Sequence, residues 1–140
     1  MRRTTYALFV DLGRAPTTDE VASRIGLTVN DVRMAWRHLH DAHALVLDAW
    51  TGLIRMAAPF SVVPTNFRVS AGDRHWYANC AWDAFGVCAA LHVDGTIHSN
   101  CPDCGESFQI EVKDERPSRD DLLFHCLVPA AQWWQDAIFT

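Results

Sequence analysis

Apolar residues in the segment APTTDEVASRIGLTVNDVRMAWRHLHDAHALVLD (15–48) recur three and four positions apart, the spacing of one helix face. Polar residues mark where these helices begin and end. Thr17 or Thr18 caps the first, Glu20 closes a capping box from Thr17, and Val21, Ala22 and Ile25 form a buried stripe that stops at Gly26. Thr28 caps the second, with Asp31 at its third position and Val32, Ala35, Trp36 and Leu39 facing inward. Residues 4–13, with Tyr6, Leu8, Phe9, Val10 and Leu12, predict a short helix ahead of this pair. Two helices joined at Gly26 and Leu27 form a helix-turn-helix. The apolar stretches 44–47 and 53–57 then predict a two-stranded wing around Asp48 to Gly52, with Trp36 and Trp50 in the core of this half.

Farther along, the period changes. Pro59 and Pro64 bracket a linker, and 66–70 alternates as a strand with Phe67 and Val69 on one side. Asp73 to Leu91 is expected as a central helix. Gly95 turns the chain into a strand at 96–99, CPDCG makes a tight loop, and FQIEV alternates again within 107–112. KDERPSRDD is a solvent-facing turn, 122–128 has strand character, and AQWWQDAIF is a short helix or the approach to another strand. The expected fold is α+β: an amino-terminal winged-helix-like helical subdomain (1–58), a linker (59–65), and a small mixed sheet packed on a central helix (66–140).

The chemistry concentrates in NCAWDAFGVC (79–88). Cys80 stands three residues before Asp83, so on a helix the two side chains share a face. A thiolate beside a proton-carrying group suits attack on a soft electrophile with protonation of what leaves. The alternative is a cysteine serving as a small core residue and an aspartate paired with Arg68 or Arg74. A carboxylate amid Ala81, Trp82, Ala84 and Phe85 must find hydrogen bonds or hold its proton more tightly.

DRHWYANCAWDAFGVCAAL (73–91) resembles the catalytic-helix motif of the organomercurial (alkylmercury) lyase family, MerB-like: an aromatic ahead of a cysteine, two residues, then an aspartate leading into a mainly apolar helix. The resemblance implies that Cys80 binds mercury and acts as nucleophile, and that Asp83 is the acid and an auxiliary mercury ligand. It implies carbon–mercury protonolysis on an organomercurial or related soft organometallic, with no organic cofactor and with small thiols carrying off the product. Family enzymes add a second thiol from a later segment. By layout it is expected after LVPAAQWWQDAIFT, past Thr140, as in a truncated chain, with Cys126 or Cys88 as substitutes within the sequence. Tyr77, Trp82, Trp133 and Trp134, together with Trp76, could wall an apolar pocket for the organic group.

Two other functions compete. Cys101 and Cys104 in CPDCG have zinc-knuckle spacing, and His98, His125, Cys126 or Cys88 could complete a tetrahedral zinc site in a non-catalytic binding module. Alternatively, the helix-turn-helix with Arg24, Arg33 and Arg37 could make a metal- or redox-responsive winged-helix regulator. Asp31 and Asp41 flank the would-be recognition helix and disfavour DNA. The net charge of −5 over 140 residues likewise argues against a duplex-binding surface. Eleven of twelve basic residues are Arg, suited to fixed-geometry pairs with carboxylates. Five cysteines, an odd number confined to the second half, look like reduced thiols rather than a disulfide framework. With no apolar run of membrane-spanning length and no secretory leader in MRRTTYALFVDLGRAPTTDE, a cytoplasmic protein is expected.

Overall fold

The computed structural model describes residues 1–124, 126 and 128–135. Three helices open the chain: α1 (Arg2–Leu12), α2 (Thr18–Ile25) and α3 (Val29–Asp41). Both expected capping boxes form. Thr17 accepts from the Glu20 N–H while Glu20 accepts from the Thr17 N–H, and Thr28 and Asp31 repeat the exchange. The buried Trp36 donates its indole N–H to the Thr5 hydroxyl at 3.0 Å, and the Tyr6 hydroxyl donates to the Ala44 carbonyl at 3.1 Å. These bonds lock α1 to the end of α3. Trp50, expected in the core, is 95% exposed. It occupies the turn after Asp48, whose carboxylate accepts from the Trp50 and Thr51 N–H groups and holds the loop away from the core.

The strands β1 (Val46–Leu47), β2 (Ile54–Ala57), β3 (Phe60–Ser61), β4 (Arg68–Ala71), β5 (Arg74–Ala78), β6 (Gly95–Asn100), β7 (Ser107–Lys113) and β8 (Arg116–Pro117) form one sheet, ordered β1-β2-β3-β5-β4-β6-β7-β8. Every described pairing is antiparallel, so the expected mixed sheet is corrected. Most neighbours are joined by short turns, and the one helical crossover, from β5 to β6, skips over β4 and pairs no parallel strands. Within the stretch expected as a linker, β3 pairs with both β2 and β5, so the hairpin of the first half continues into the main sheet. Phe9 of α1 stacks on Phe60 of β3 with centroids 5.0 Å apart, which joins the helices to the same core.

The helix expected from Asp73 to Leu91 is shorter: α4 spans Ala81–Leu91, and Arg74–Ala78 is β5. The local pattern explains the difference. In RHWYA, Trp76 and Ala78 are buried while Arg74, His75 and Tyr77 are not, the period-two alternation of a strand. A turn at Gly72, φ +58°, folds this strand onto β4. Val69, Trp76, Ile97 and Ile110 align across the sheet on one buried face, and α4 covers it with Ala84, Val87 and Cys88. Among the described residues, 122–124, 126 and 128 form no strand; Leu123 is 96% exposed. Ala130–Gln135 is a single 3-10 helix rather than a strand approach.

Candidate active site

Cys80 does not sit inside the helix. It is the residue immediately before α4, with extended backbone (φ −151°, ψ −178°), and its carbonyl accepts the first helical hydrogen bond, from the Ala84 N–H at 3.0 Å. Asp83 is then at the third helical position. The spacing of three still brings the side chains together, because a capping residue and the third residue of a helix face one another as in a capping box. Cysteine is a poor cap, and the thiol makes no capping hydrogen bond. The helix starts here because burial of Ala84, Val87 and Cys88 on the sheet compensates. Gly86 lets the helix approach the β2–β3 turn: a Cβ there would lie 3.1 Å from the Pro59 Cβ.

Burial pushes the Cys80 thiol above its ordinary pKa, and the charge of Asp83 adds to the rise, as would a thiolate at Cys126. The N–H groups of Asp83 and Trp82, at the positive end of α4, oppose it. Burial likewise raises Asp83, against the hydrogen bond from Asn79 and the influence of the Cys80 thiol. The Asn79 amide donates to the Asp83 carboxylate at 2.9 Å and reaches the Pro59 carbonyl at 3.5 Å, which fixes the carboxylate from behind. Neither expected arginine pairs with it. The Arg74 guanidinium donates to the Val10 carbonyl at 2.6 Å, Arg68 lies on the opposite sheet face, and Asp83 forms no ion pair among the described residues. The pair is thus a half-buried thiol and a half-buried carboxyl, each disposed to keep a proton.

Asn79 and Tyr6 were not singled out in the sequence. The signal for Asn79 is its place just ahead of the helix cap, from which a short amide reaches the carboxylate at the third helical position. Tyr6 comes from α1. Burial raises its phenol above the ordinary value against the influence of Arg2, with a further, smaller contribution from the Asp83 charge.

The other expected residues scatter. Cys88 is 2% exposed and faces Gly95, where an added Cβ would lie 3.0 Å from its sulfur. Cys126 is exposed and donates its S–H to the Val128 carbonyl at 2.9 Å, within electrostatic reach of Cys80. Trp82 is exposed, Trp133 donates to the same Val128 carbonyl at 2.8 Å, and Trp134 stacks on His43 at 4.4 Å. Buried Trp76 lies under α4 and tilts against Phe60. Tyr77 lies on the sheet face opposite α4, with Arg68 and His98, lining a cavity of about 530 Å³. That cavity is on the wrong face to serve Cys80.

Cys101 and Cys104 form the β6–β7 loop; the Cys104 and Asp103 N–H groups draw the Cys101 thiol below its ordinary pKa. His98 is engaged with the Ser70 hydroxyl at 3.3 Å, His125 lies outside the described residues, and among the described residues no three His, Cys, Asp or Glu side chains gather into a metal site. No described helix is long and apolar enough to cross a membrane.

Residues 60–140 match the family profile described as MerB, alkylmercury lyase. Among solved structures, the mercury-bound form of MerB2 is similar with 26% identity and a TM-score of 0.68, over 84% of this chain and 56% of that one. The chain therefore spans little more than half the length of that structure. No curated protein matches it.

Proposed function

The chain belongs to the alkylmercury lyase family, and we propose that it captures an organomercurial on Cys80 and cleaves the carbon–mercury bond with a proton delivered by Asp83. The observation that carries this is the Cys80–Asp83 pair at the start of α4, with Asn79 holding the carboxylate. When the thiol takes mercury its proton passes to Asp83, already disposed by burial to accept it. A second thiol adds to the metal, weakens the carbon–mercury bond, and Asp83 protonates the departing carbon to release hydrocarbon. The books balance: an organomercury salt and two thiols give a mercury dithiolate, a hydrocarbon and an acid. No electron is transferred.

Cys126 serves as the second thiol in this reading, supported by its exposure and its electrostatic influence on Cys80; buried Cys88 is a core residue. Trp82, two residues after Cys80, and Trp133, which shares the Val128 carbonyl with Cys126, are the walls for the organic group in this reading. Residues 1–58 act as a winged-helix-like scaffold, and 66–140 carry the chemistry. All five cysteines are free, which suits a reducing, cytoplasmic setting.

The test is incubation with methylmercury and excess small thiol, following headspace methane. Methane above background that disappears in Cys80→Ser is the expected result. Equal methane from both chains would end the proposal.

A further inference from the structure

The loop between β6 and β7 carries two thiols that the Cys80 chemistry does not use. Cys101 donates its N–H to the Glu106 carbonyl at 2.8 Å and accepts from the Gly105 N–H at 2.9 Å, with Gly105 at φ +74°. Below the loop, Ser107 donates to Asn100 at 2.7 Å across the last rung of the ladder. A closed turn on a pinned neck therefore holds Cys101 and Cys104 three residues apart. Both are free thiols, Cys104 exposed and Cys101 partly so. Backbone N–H groups of Asp103 and Cys104 face the Cys101 sulfur.

Metals differ in how many protein ligands they need. Zinc takes four protein ligands in a structural site, and among the described residues nothing joins these two. A soft divalent ion content with two thiolates, as mercury(II) is, needs nothing more. The sheet register adds the connection to the active site. Arg68 of β4 pairs with Tyr77 of β5 and His98 of β6, so β5 and β6 run in the same direction on either side of β4. They leave the sheet at the same end, one into Cys80 and the other into Cys101. Two strand spacings, roughly 10 Å, separate them.

We propose that Cys101 and Cys104 form a second soft-metal site, a dithiolate that takes mercury(II) released at Cys80. The identity of the metal rests on the proposed lyase function; the two-thiol geometry does not. Transfer is ligand exchange without redox change: two sulfur–mercury bonds break, two form to Cys101 and Cys104, and their protons go to the departing thiolates.

The test uses the full chain carrying Cys80→Ser and Cys126→Ser, mercuric chloride and excess small monothiol, read by native mass spectrometry and thiolate-to-mercury absorption. Retention of mercury is expected. Adding Cys104→Ser, a change at an exposed position, should lower by about tenfold or more the monothiol concentration that strips half the metal, since a chelate becomes a single thiolate; Cys101→Ser should do the same. Equal retention with and without these cysteines, or no retention in the parent variant, overturns the site. Methane release by the unmutated chain is scored separately. Its absence together with mercury held at the hairpin would defeat the lyase reading and leave the dithiol standing.

Discussion

Two thiol regions lie at one end of the same sheet and differ in almost every physical respect. At the β5–α4 junction, Cys80 is half-buried beside a carboxylate, and burial makes both groups retain protons. At the β6–β7 tip, Cys104 is exposed, Cys101 is half-buried, and backbone N–H groups favour the Cys101 thiolate. A site that must deliver a proton to carbon benefits from the first environment; a site that only holds a soft cation benefits from the second. The same element, sulfur, is tuned in opposite directions, chiefly by burial on one side and by the N–H groups of a turn on the other.

The sharpest way to break this contrast is to exchange the losses. Cys80→Ser should take hydrocarbon release to background, whereas the Cys101→Ser, Cys104→Ser pair should leave single-turnover release within about threefold, since it removes no group acting on the carbon. Hydrocarbon yields from one equivalent of methylmercury would measure both. If the hairpin pair costs as much as Cys80, the two regions are one site.

Asp83→Asn comes next, with a loss of about 10²- to 10⁴-fold in cleavage rate, the usual worth of a general acid, and little change in methylmercury capture. Its stability effect runs the other way. A carboxyl whose folded pKa is raised binds its proton more tightly folded than unfolded, so stability falls as pH rises from its ordinary value of 3.8 through the raised one. The asparagine removes that penalty. Thermal melts should show the variant gaining on the unmutated chain as pH climbs through this window and holding its gain above it. A variant that instead loses stability at neutral pH would mean the charged carboxylate is better solvated than its burial implies.

How much of this was legible beforehand depends on the range of the interactions. Both capping boxes and the CPDCG turn depend on residues within four positions of one another, and the sequence reading found them in place. β5 reads as helix in the sequence because RHWYA runs directly into apolar NCAWDAFGVC, and only pairing with β4 and β3 separates strand from helix. Cys80 and Asp83 were matched for a reason that survived the error, since a spacing of three joins a cap to the first turn as well as two helical positions. Trp50 failed differently: its size suggested the core, but Asp48 holds the turn outward. The electrostatic influence of Cys126 on Cys80, and of Asp83 on Tyr6, depends on the tertiary fold and has no local trace in the sequence.

Thiol labelling at graded pH tests the tuning itself and should give a smaller, graded effect. With peptides resolved by mass spectrometry, Cys101 should react with iodoacetamide about tenfold or more faster than Cys80 at neutral pH, because its thiolate forms more readily. The ratio should shrink as pH rises past the ordinary thiol value of 9.0, where Cys80 also ionises and only access still separates them. Asp83→Asn should shrink it further by lifting the carboxylate's repulsion of the Cys80 thiolate. Cys88, 2% exposed, should remain unlabelled throughout in the folded chain and serve as the internal gauge of folding. A ratio flat with pH would mean that access alone distinguishes the two regions, and that the opposite pKa shifts do not contribute to their division of labour.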